Sequence, residues 1–196
     1  MPATFKIERQ LWTNGFRFVA GVDEVGRGPL AGPIVAAAVI FPQGVKISGL
    51  DDSKKLSPQR RAELYIWIKA KALAVSVALI NHTTIDRINV GKANIKVLEL
   101  AIGELKIAPD FVLVDGARNK LNISHPQKAI NKGDGKYASV AAASIIAKVT
   151  RDSLMVEYDR QYPEYGFSRH KGYGTREHLK NISKFGPCEI HRRSFL

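Results

Sequence analysis

The sequence predicts an α/β protein, a mixed β-sheet flanked by helices with a small helical lobe at the C-terminal end. Three observations carry that reading. Two apolar runs, 16–25 and 33–41, are joined by a short link rich in Gly and Pro, which favours an antiparallel pair. Beyond a third apolar run, helical and strand periods alternate, as they do where helices cover the faces of a sheet. From Tyr162 onward Gly, Pro, aromatic and basic residues increase, marking off the lobe.

Taken in order, 16–25 is a first strand and 33–41 (Pro-Ile-Val-Ala-Ala-Ala-Val-Ile-Phe) a second, buried one. Asp52-Ser53-Lys54-Lys55-Leu56-Ser57-Pro58 is a loop entering a helix, with Ser57 as its cap and Pro58 at the first helical position. The apolar face of that helix comprises Ala62, Leu64, Tyr65, Ile68 and Ala72. Residues 73–80 alternate and form a third strand. A helix over 91–106 places Ile95, Leu98, Ile102 and Leu105 at helical spacing. Pro109 restarts the chain into a short buried strand at 111–114, ending at Asp115-Gly116, and 121–124 is a further short strand. Lys132-Gly133-Asp134-Gly135 is a turn into a long helix over 137–162, whose first half is made of residues small enough to pack close to a sheet. No repeat, low-complexity tract or linker interrupts the chain.

At 196 residues, 45% apolar and 24% charged, the composition is that of one soluble globular unit. The net charge of +12 points to a polyanionic partner, nucleic acid before anionic membrane. No run is long enough to span a membrane, the first residues lack signal-peptide architecture, and Cys188 is the only cysteine. The expectation is a cytoplasmic monomer that handles nucleic acid. Charge alone does not separate a binder from an enzyme.

The most informative stretch is Val22-Asp23-Glu24-Val25-Gly26-Arg27-Gly28-Pro29-Leu30-Ala31-Gly32-Pro33. Two adjacent carboxylates end an apolar run and a Gly-Arg-Gly turn follows. Small residues let a large charged ligand approach the backbone. The acids invite a divalent cation, and Arg27 with the glycine amides suits a phosphate or a sugar hydroxyl. If 16–25 and 111–114 are neighbouring central strands, Asp23 and Asp115 lie near their carboxyl ends, where open α/β sheets bind ligands. Asp134 can join from its loop. Asp23, Glu24, Asp115 and Asp134 together, without His or Cys, select magnesium or manganese. Two such ions suit in-line phosphodiester hydrolysis. Each acid also has a plainer reading: Asp115-Gly116 is a common turn dipeptide, and Asp134 in Gly-Asp-Gly an ordinary loop residue. Asp152 either pairs with Lys148 at (i, i+4) or stands behind the metals.

With these blocks in view the chain resembles ribonuclease HII, the type 2 ribonuclease H. The matching blocks are Gly21 through Pro33, Asp52-Ser53-Lys54-Lys55-Leu56-Ser57, Val114-Asp115-Gly116, and Lys132-Gly133-Asp134. Further matches are Ala141-Ala142-Ala143-Ser144-Ile145-Ile146-Ala147-Lys148-Val149-Thr150-Arg151-Asp152, then Lys171-Gly172-Tyr173-Gly174-Thr175 with His178, and Ile190-His191-Arg192-Arg193-Ser194-Phe195. The resemblance implies a ribonuclease H-like catalytic domain over 1–162, with 163–196 as a small lobe packed on it. It also implies endonucleolytic cleavage of RNA in RNA–DNA hybrids. Cleavage 5′ to a single ribonucleotide embedded in duplex DNA, leaving 3′-hydroxyl and 5′-phosphate, follows from it too.

By the same resemblance Asp23, Glu24, Asp115 and Asp134 are the catalytic, metal-holding acids, with Mg2+ or Mn2+ as cofactor. Gly26, Arg27 and Gly28 read the 2′-hydroxyl and nearby phosphates, and Tyr173 stacks under the deoxyribose that follows. Lys54 and Lys55 are phosphate contacts, against a merely solvated loop. Arg192 and Arg193 either grip duplex backbone or form a charged tail. His170, His178 and His191 lack paired helical metal spacing and are assigned no metal. The chain stops just after Phe195, so no tail for a sliding clamp is expected.

Three rivals were weighed. Gly26-Arg27-Gly28-Pro29-Leu30-Ala31 satisfies G-x-G-x-x-A, but a strand rather than a helix follows it, and its acids would repel pyrophosphate. A non-catalytic nucleic-acid binder explains the charge and leaves the acids without purpose. A type 1 ribonuclease H shares the chemistry but needs a run of ribonucleotides.

Overall fold

A computed structural model describes residues 2–116 and 120–196. Five strands form one mixed sheet in the order β3-β2-β1-β4-β5. They are β1 (Val19–Val25), β2 (Ile34–Ile40), β3 (Ala74–Ile80), β4 (Phe111–Asp115) and β5 (Gln127–Ile130). β1 pairs antiparallel with β2 and parallel with β4, and β4 is parallel to β5. The short Gly- and Pro-rich link therefore does join an antiparallel pair.

β2 is buried along its whole length, so its two faces meet two different helices. Ile34, Ala36, Ala38 and Ile40 pack with α4 (Val90–Gly103) through Ala93, Val97 and Leu98. Val35, Ala37 and Val39 pack on the other side, against Leu64 and Ile68 of α2 (Pro58–Lys71) and against α5 (Ala138–Gln161). Ser57 caps α2 by accepting from the Arg60 amide at 3.2 Å, with Pro58 at the first position, as the sequence predicts.

Helix α5 lies directly on β1. A Cβ at Gly21 would stand 2.2 Å from the carbonyl carbon of Ser139 and 2.4 Å from the amide nitrogen of Val140. Backbone meets backbone there, and the run Ala138 to Ala147 is buried without a large side chain to hold the helix off, apart from Ile145 and Ile146. Tyr137 gives α5 no side-chain cap. The N-terminal segment supplies one: the Ala138 amide donates to the Thr4 carbonyl at 3.0 Å. The Ser139 amide and hydroxyl both donate to Glu8 Oε1, at 2.8 and 2.7 Å. Glu8 belongs to α1 (Lys6–Thr13), an element absent from the sequence reading. A carboxylate at a helix N-terminus suits both the orphan amides and the helix dipole, although burial pushes the Glu8 acid upward.

Two expectations need correction. Residues 121–124 are not a strand; the edge strand is β5. The Gln127 side chain takes over the pairing, accepting from the Leu121 amide at 2.9 Å and donating to the Leu121 carbonyl at 2.8 Å. The helix expected over 91–106 begins at Val90 and ends at Gly103, and α3 (His82–Ile88) precedes it. Asn89, at φ 68°, separates the two and caps α4 by accepting from the Lys92 amide at 3.0 Å. After α5 come α6 (Phe167–His170), α7 (Arg176–Phe185) and a 3-10 turn, Arg193–Phe195. No helix among the described residues is long and apolar enough to cross a membrane.

Gly21→Ala is expected to force α5 off the sheet. Overpacking against two backbones has no flexible partner to yield, so about 3 kcal/mol of stability is lost and Tm falls by about 6–12 °C. Thermal unfolding followed by circular dichroism checks this; unchanged melting would show that the helix can shift freely.

Candidate active site

The antiparallel and parallel neighbours of β1 bring the acids together. Val22 pairs with Val114, so Asp23 and Asp115 follow side by side at the carboxyl ends of adjacent parallel strands. Asp134 arrives from the turn before α5. All four acids, Asp23, Glu24, Asp115 and Asp134, line one cavity of about 340 Å³. Gly26, Arg27 and Gly28 form its rim, with Lys54 and Tyr173 also on its wall. A Cβ at Gly28 would lie 3.7 Å from Cε1 of Tyr173, so loop and tyrosine face each other at contact distance.

Backbone amides hold three of the acids in place. Asp23 Oδ1 accepts from the Glu24 amide at 2.8 Å, Asp115 Oδ1 from Gly133 at 2.6 Å, and Asp134 Oδ1 from Gly135 at 2.9 Å. Glu24 Oε1 lies 3.6 Å from the Arg27 guanidinium, while its Oε2 is buried without a hydrogen-bond partner. Burial, then repulsion from Glu24 and Asp115, holds the Asp23 acid well above the usual carboxylate range. Glu24 is pushed from the usual 4.5 to about 7, by burial first and Asp115 next, with Arg27 opposing. Asp134 is raised by burial and by Asp115 and Asp52.

These residues fit a hard divalent cation. Buried carboxylates that repel one another, one with an orphaned oxygen, need positive charge to ionise together. The donor set is all oxygen. Among the described residues no group of three or more His, Cys, Asp or Glu is gathered closely enough to hold a metal ion without further ligands. An open acidic wall suits magnesium, which binds through one or two carboxylates and keeps water or substrate oxygens.

Two serines missing from the sequence reading complete the floor. Ser144 of α5 lines the cavity beside Asp23, where its hydroxyl opposes the rise of that acid, and its oxygen lies 3.0 Å from Ser53 Oγ. For Ser144 the legible signal was a hydroxyl at the end of the alanine run of α5. Lys54 reaches the cavity, but Lys55 does not line it and stands 3.6 Å from Asp51. Asp152 lies outside the cavity, accepting from Lys148 Nζ at 2.7 Å and 4.0 Å from Arg61. It lines a larger cavity of about 730 Å³ between α2 and α5, where it pairs closely with Lys148 and only distantly with Arg61. The neighbouring Arg169 is likewise paired, with Glu177. Arg192 neither grips duplex nor forms a charged tail: it is fully buried. Arg193 stays exposed and donates to the Pro187 carbonyl at 3.3 Å.

Fold and site together define a phosphodiester-cleaving enzyme of the ribonuclease H class. The family model described as Ribonuclease HII matches residues 20–196. A Ribonuclease HII of Geobacter metallireducens is 53% identical over 195 residues, covering 96% of this chain and 91% of that protein. The crystal structure of the ribonuclease H2 from Pyrococcus horikoshii superposes with a TM-score of 0.77 at 30% identity, covering 90% of this chain and 93% of that one. Another match is the ribonuclease HII of Archaeoglobus fulgidus, solved in complex with PCNA. It gives a TM-score of 0.72 at 26% identity, covering 91% of this chain and 95% of that one. The chain belongs to the ribonuclease HII family, whose members depend on divalent metal.

The Glu24 shift fixes a pH dependence. Its acid is raised on folding, so the stability tied to its neutral form is complete below about 4.5 and is lost as pH rises through about 7. In chelator, Glu24→Gln should therefore melt higher than the parent at pH 8, by up to roughly 3 kcal/mol, and about equally at pH 5. Added Mg2+ should close the gap at pH 8 by stabilising the parent. A pH-independent difference between the two proteins would contradict the burial argument.

Proposed function

We propose that this enzyme hydrolyses the RNA strand of RNA–DNA hybrids and cuts 5′ to single ribonucleotides embedded in duplex DNA. The products would be a 3′-hydroxyl and a 5′-phosphate. One observation carries the reading: four acids, the Gly-Arg-Gly loop and Tyr173 share one cavity in a chain of net charge +12. Basic flanks hold a polyanion while the acids create the one place where cations gather.

On this reading Asp23, Glu24, Asp115 and Asp134 hold two Mg2+ or Mn2+ ions. When bound, such ions supply an activated water and stabilise the leaving oxygen. The chain does the rest by positioning. Amides of Glu24, Gly133 and Gly135 fix the carboxylates before substrate arrives, so little reorganisation is left for the reaction. The Gly26, Arg27 and Gly28 rim takes the 2′-hydroxyl and adjacent phosphates. That hydroxyl is what distinguishes RNA from DNA at one position. Arg27 is more than half exposed and only loosely paired with Glu24, so its guanidinium can turn to a phosphate. The exposed ring of Tyr173 opposes Gly28, where it would stack under the sugar after the ribonucleotide. Lys54 contacts phosphate from the cavity wall, and Lys55 follows the backbone farther out.

A labelled DNA duplex with one ribonucleotide, incubated with Mg2+, Mn2+ or chelator, tests the proposal. A single metal-dependent nick 5′ to the ribonucleotide is expected; cleavage of continuous hybrid only would remove the roles given to the glycine loop and Tyr173. Asp23→Asn should lower turnover by about three orders of magnitude, the upper scale for losing a principal electrostatic group. Hybrid affinity, measured in chelator, should change little because the basic surface is intact. Affinity should also fall steeply between 50 and 200 mM salt, by about tenfold or more if several phosphates are gripped. A flat salt response would argue against backbone contacts.

A further inference from the structure

We propose that Arg192, with His191 and His178 beside it, is a positioning device that holds the glycine loop and Tyr173 in register with each other. The inference rests on the reading of those two features as the ribonucleotide-recognition surface, and it concerns residues that touch no substrate.

Arg192 is fully buried, and its guanidinium bonds backbone carbonyls. Nε donates to Gly32 at 3.0 Å and Nη1 to Arg27 at 2.9 Å. Nη2 donates to Gly26 at 2.6 Å and to Gly32 at 2.8 Å. Four bonds thus fall on the two ends of the loop. Burying a cation is costly, and an apolar side chain would fill the space more cheaply. What only a planar guanidinium supplies is a rigid fork that fixes several carbonyls at once.

The main chain around it closes the same gap. The Arg192 amide donates to the Leu30 carbonyl at 2.8 Å and the Gly32 amide to Ile190 at 2.9 Å, flanking a bridge between Ala31 and His191. On the other edge, the Leu30 amide donates to Gly172 at 2.8 Å. The loop segment is therefore sewn between residue 172 and residues 190–192.

His191 extends the link to Tyr173. The Tyr173 carbonyl is an acceptor only, so His178 Nδ1 donates to it at 2.9 Å. Neutral His178 then has an unprotonated Nε2, which accepts from His191 Nε2 at 3.0 Å. His191 Nδ1 in turn accepts from the Cys188 thiol at 3.1 Å. One set of tautomers satisfies the whole chain, and burial keeps both the thiol and the imidazoles uncharged. Adjacent residues thus anchor opposite walls of the cavity, Arg192 the loop and His191, through His178, the tyrosine.

The test compares a duplex containing one ribonucleotide with a continuous hybrid, measuring kcat and KM together with Tm. Arg192→Lys keeps the charge but not the fork. It should lower kcat/KM on the single ribonucleotide by about 30-fold or more and on the hybrid by less than about tenfold. Combined with Arg27→Ala it should be within about threefold of Arg27→Ala alone, since groups acting as one unit are not additive. Equal losses on both substrates with an additive double variant would reduce Arg192 to a general stabiliser and overturn the inference. Should Arg192→Lys fail to fold, His178 decides. His178→Asn keeps a nitrogen donor for the Tyr173 carbonyl and should keep the substrate preference. His178→Phe keeps a ring without the donor and should lose it; identical behaviour of the pair overturns the inference. If Arg27→Ala and Tyr173→Ala both leave single-ribonucleotide cleavage intact, the reading of the site falls first and the inference with it.

Discussion

The contact on which this molecule depends is the one between α5 and β1 at Gly21, where no side chain separates helix from strand. Because β1 side chains alternate, Gly21 and Asp23 share a face, so the residue that admits the helix sits two positions before the acid. The same close approach, possible because Gly21 has no side chain, sets Ser144 in the cavity wall with Asp23. A helix held off the sheet by larger side chains would leave that carboxylate against a void or water. The alanine-rich face of α5 is therefore a requirement of the site as much as of the core. Glu8 serves the same contact from outside, since it fixes the end of the helix nearest to Gly21.

A second constraint follows from charge. The cavity concentrates acids that the fold buries and holds apart with backbone amides, inside a strongly basic protein. Folding works against itself here, because each acid raises the cost of ionising its neighbour. The orphaned oxygen of Glu24 is the clearest sign of an incomplete electrostatic arrangement. A cation would complete it, and on the proposed function the net positive charge of the chain favours a polyanion at the same spot. The two opposite signs are thus one design, with acids at the centre and cations on the approach.

Much of this was legible in the sequence because it is written in local chemistry. Adjacent acids at a strand end, glycines around Arg27 and an aspartate before a small-residue helix each state a local need, and the parallel pairing of β1 with β4 unites them. What escaped is what locality conceals. Helix α1 is short and polar, and its value lies in one carboxylate placed more than a hundred residues away. Strand β5 reads Gln-Lys-Ala-Ile, too polar to signal an edge strand. The 121–124 run buries Leu121 without being a strand, because a glutamine side chain occupies the pairing groups of that residue. Arg192 was misread for a physical reason. A run of two arginines near a terminus resembles a solvated tail unless the carbonyls it serves, 160 and more residues upstream, are known.

The glycine loop explains why such arginines are needed at all. Gly26 adopts φ 99°, and a Cβ there would lie 2.7 Å from the Pro33 carbonyl oxygen, so that position must forgo a side chain for the loop to make its turn. Its three glycines, Gly26, Gly28 and Gly32, have no side chain to pack and lose more conformational entropy than other residues when they are fixed. Its rigidity has to come from donors elsewhere, aimed at its carbonyls. Arg151 provides them from α5, to Pro33 at 2.9 Å and Ala31 at 3.2 Å, and Arg192 provides them from the C-terminal segment. The helix that shapes the acid floor and the segment that anchors Tyr173 therefore both terminate on one loop. On the proposed function, where this rim discriminates a single hydroxyl, the loop has to be held to within a fraction of an ångström. Two buried cations, each costly alone, are what a glycine loop requires to be both open to substrate and still.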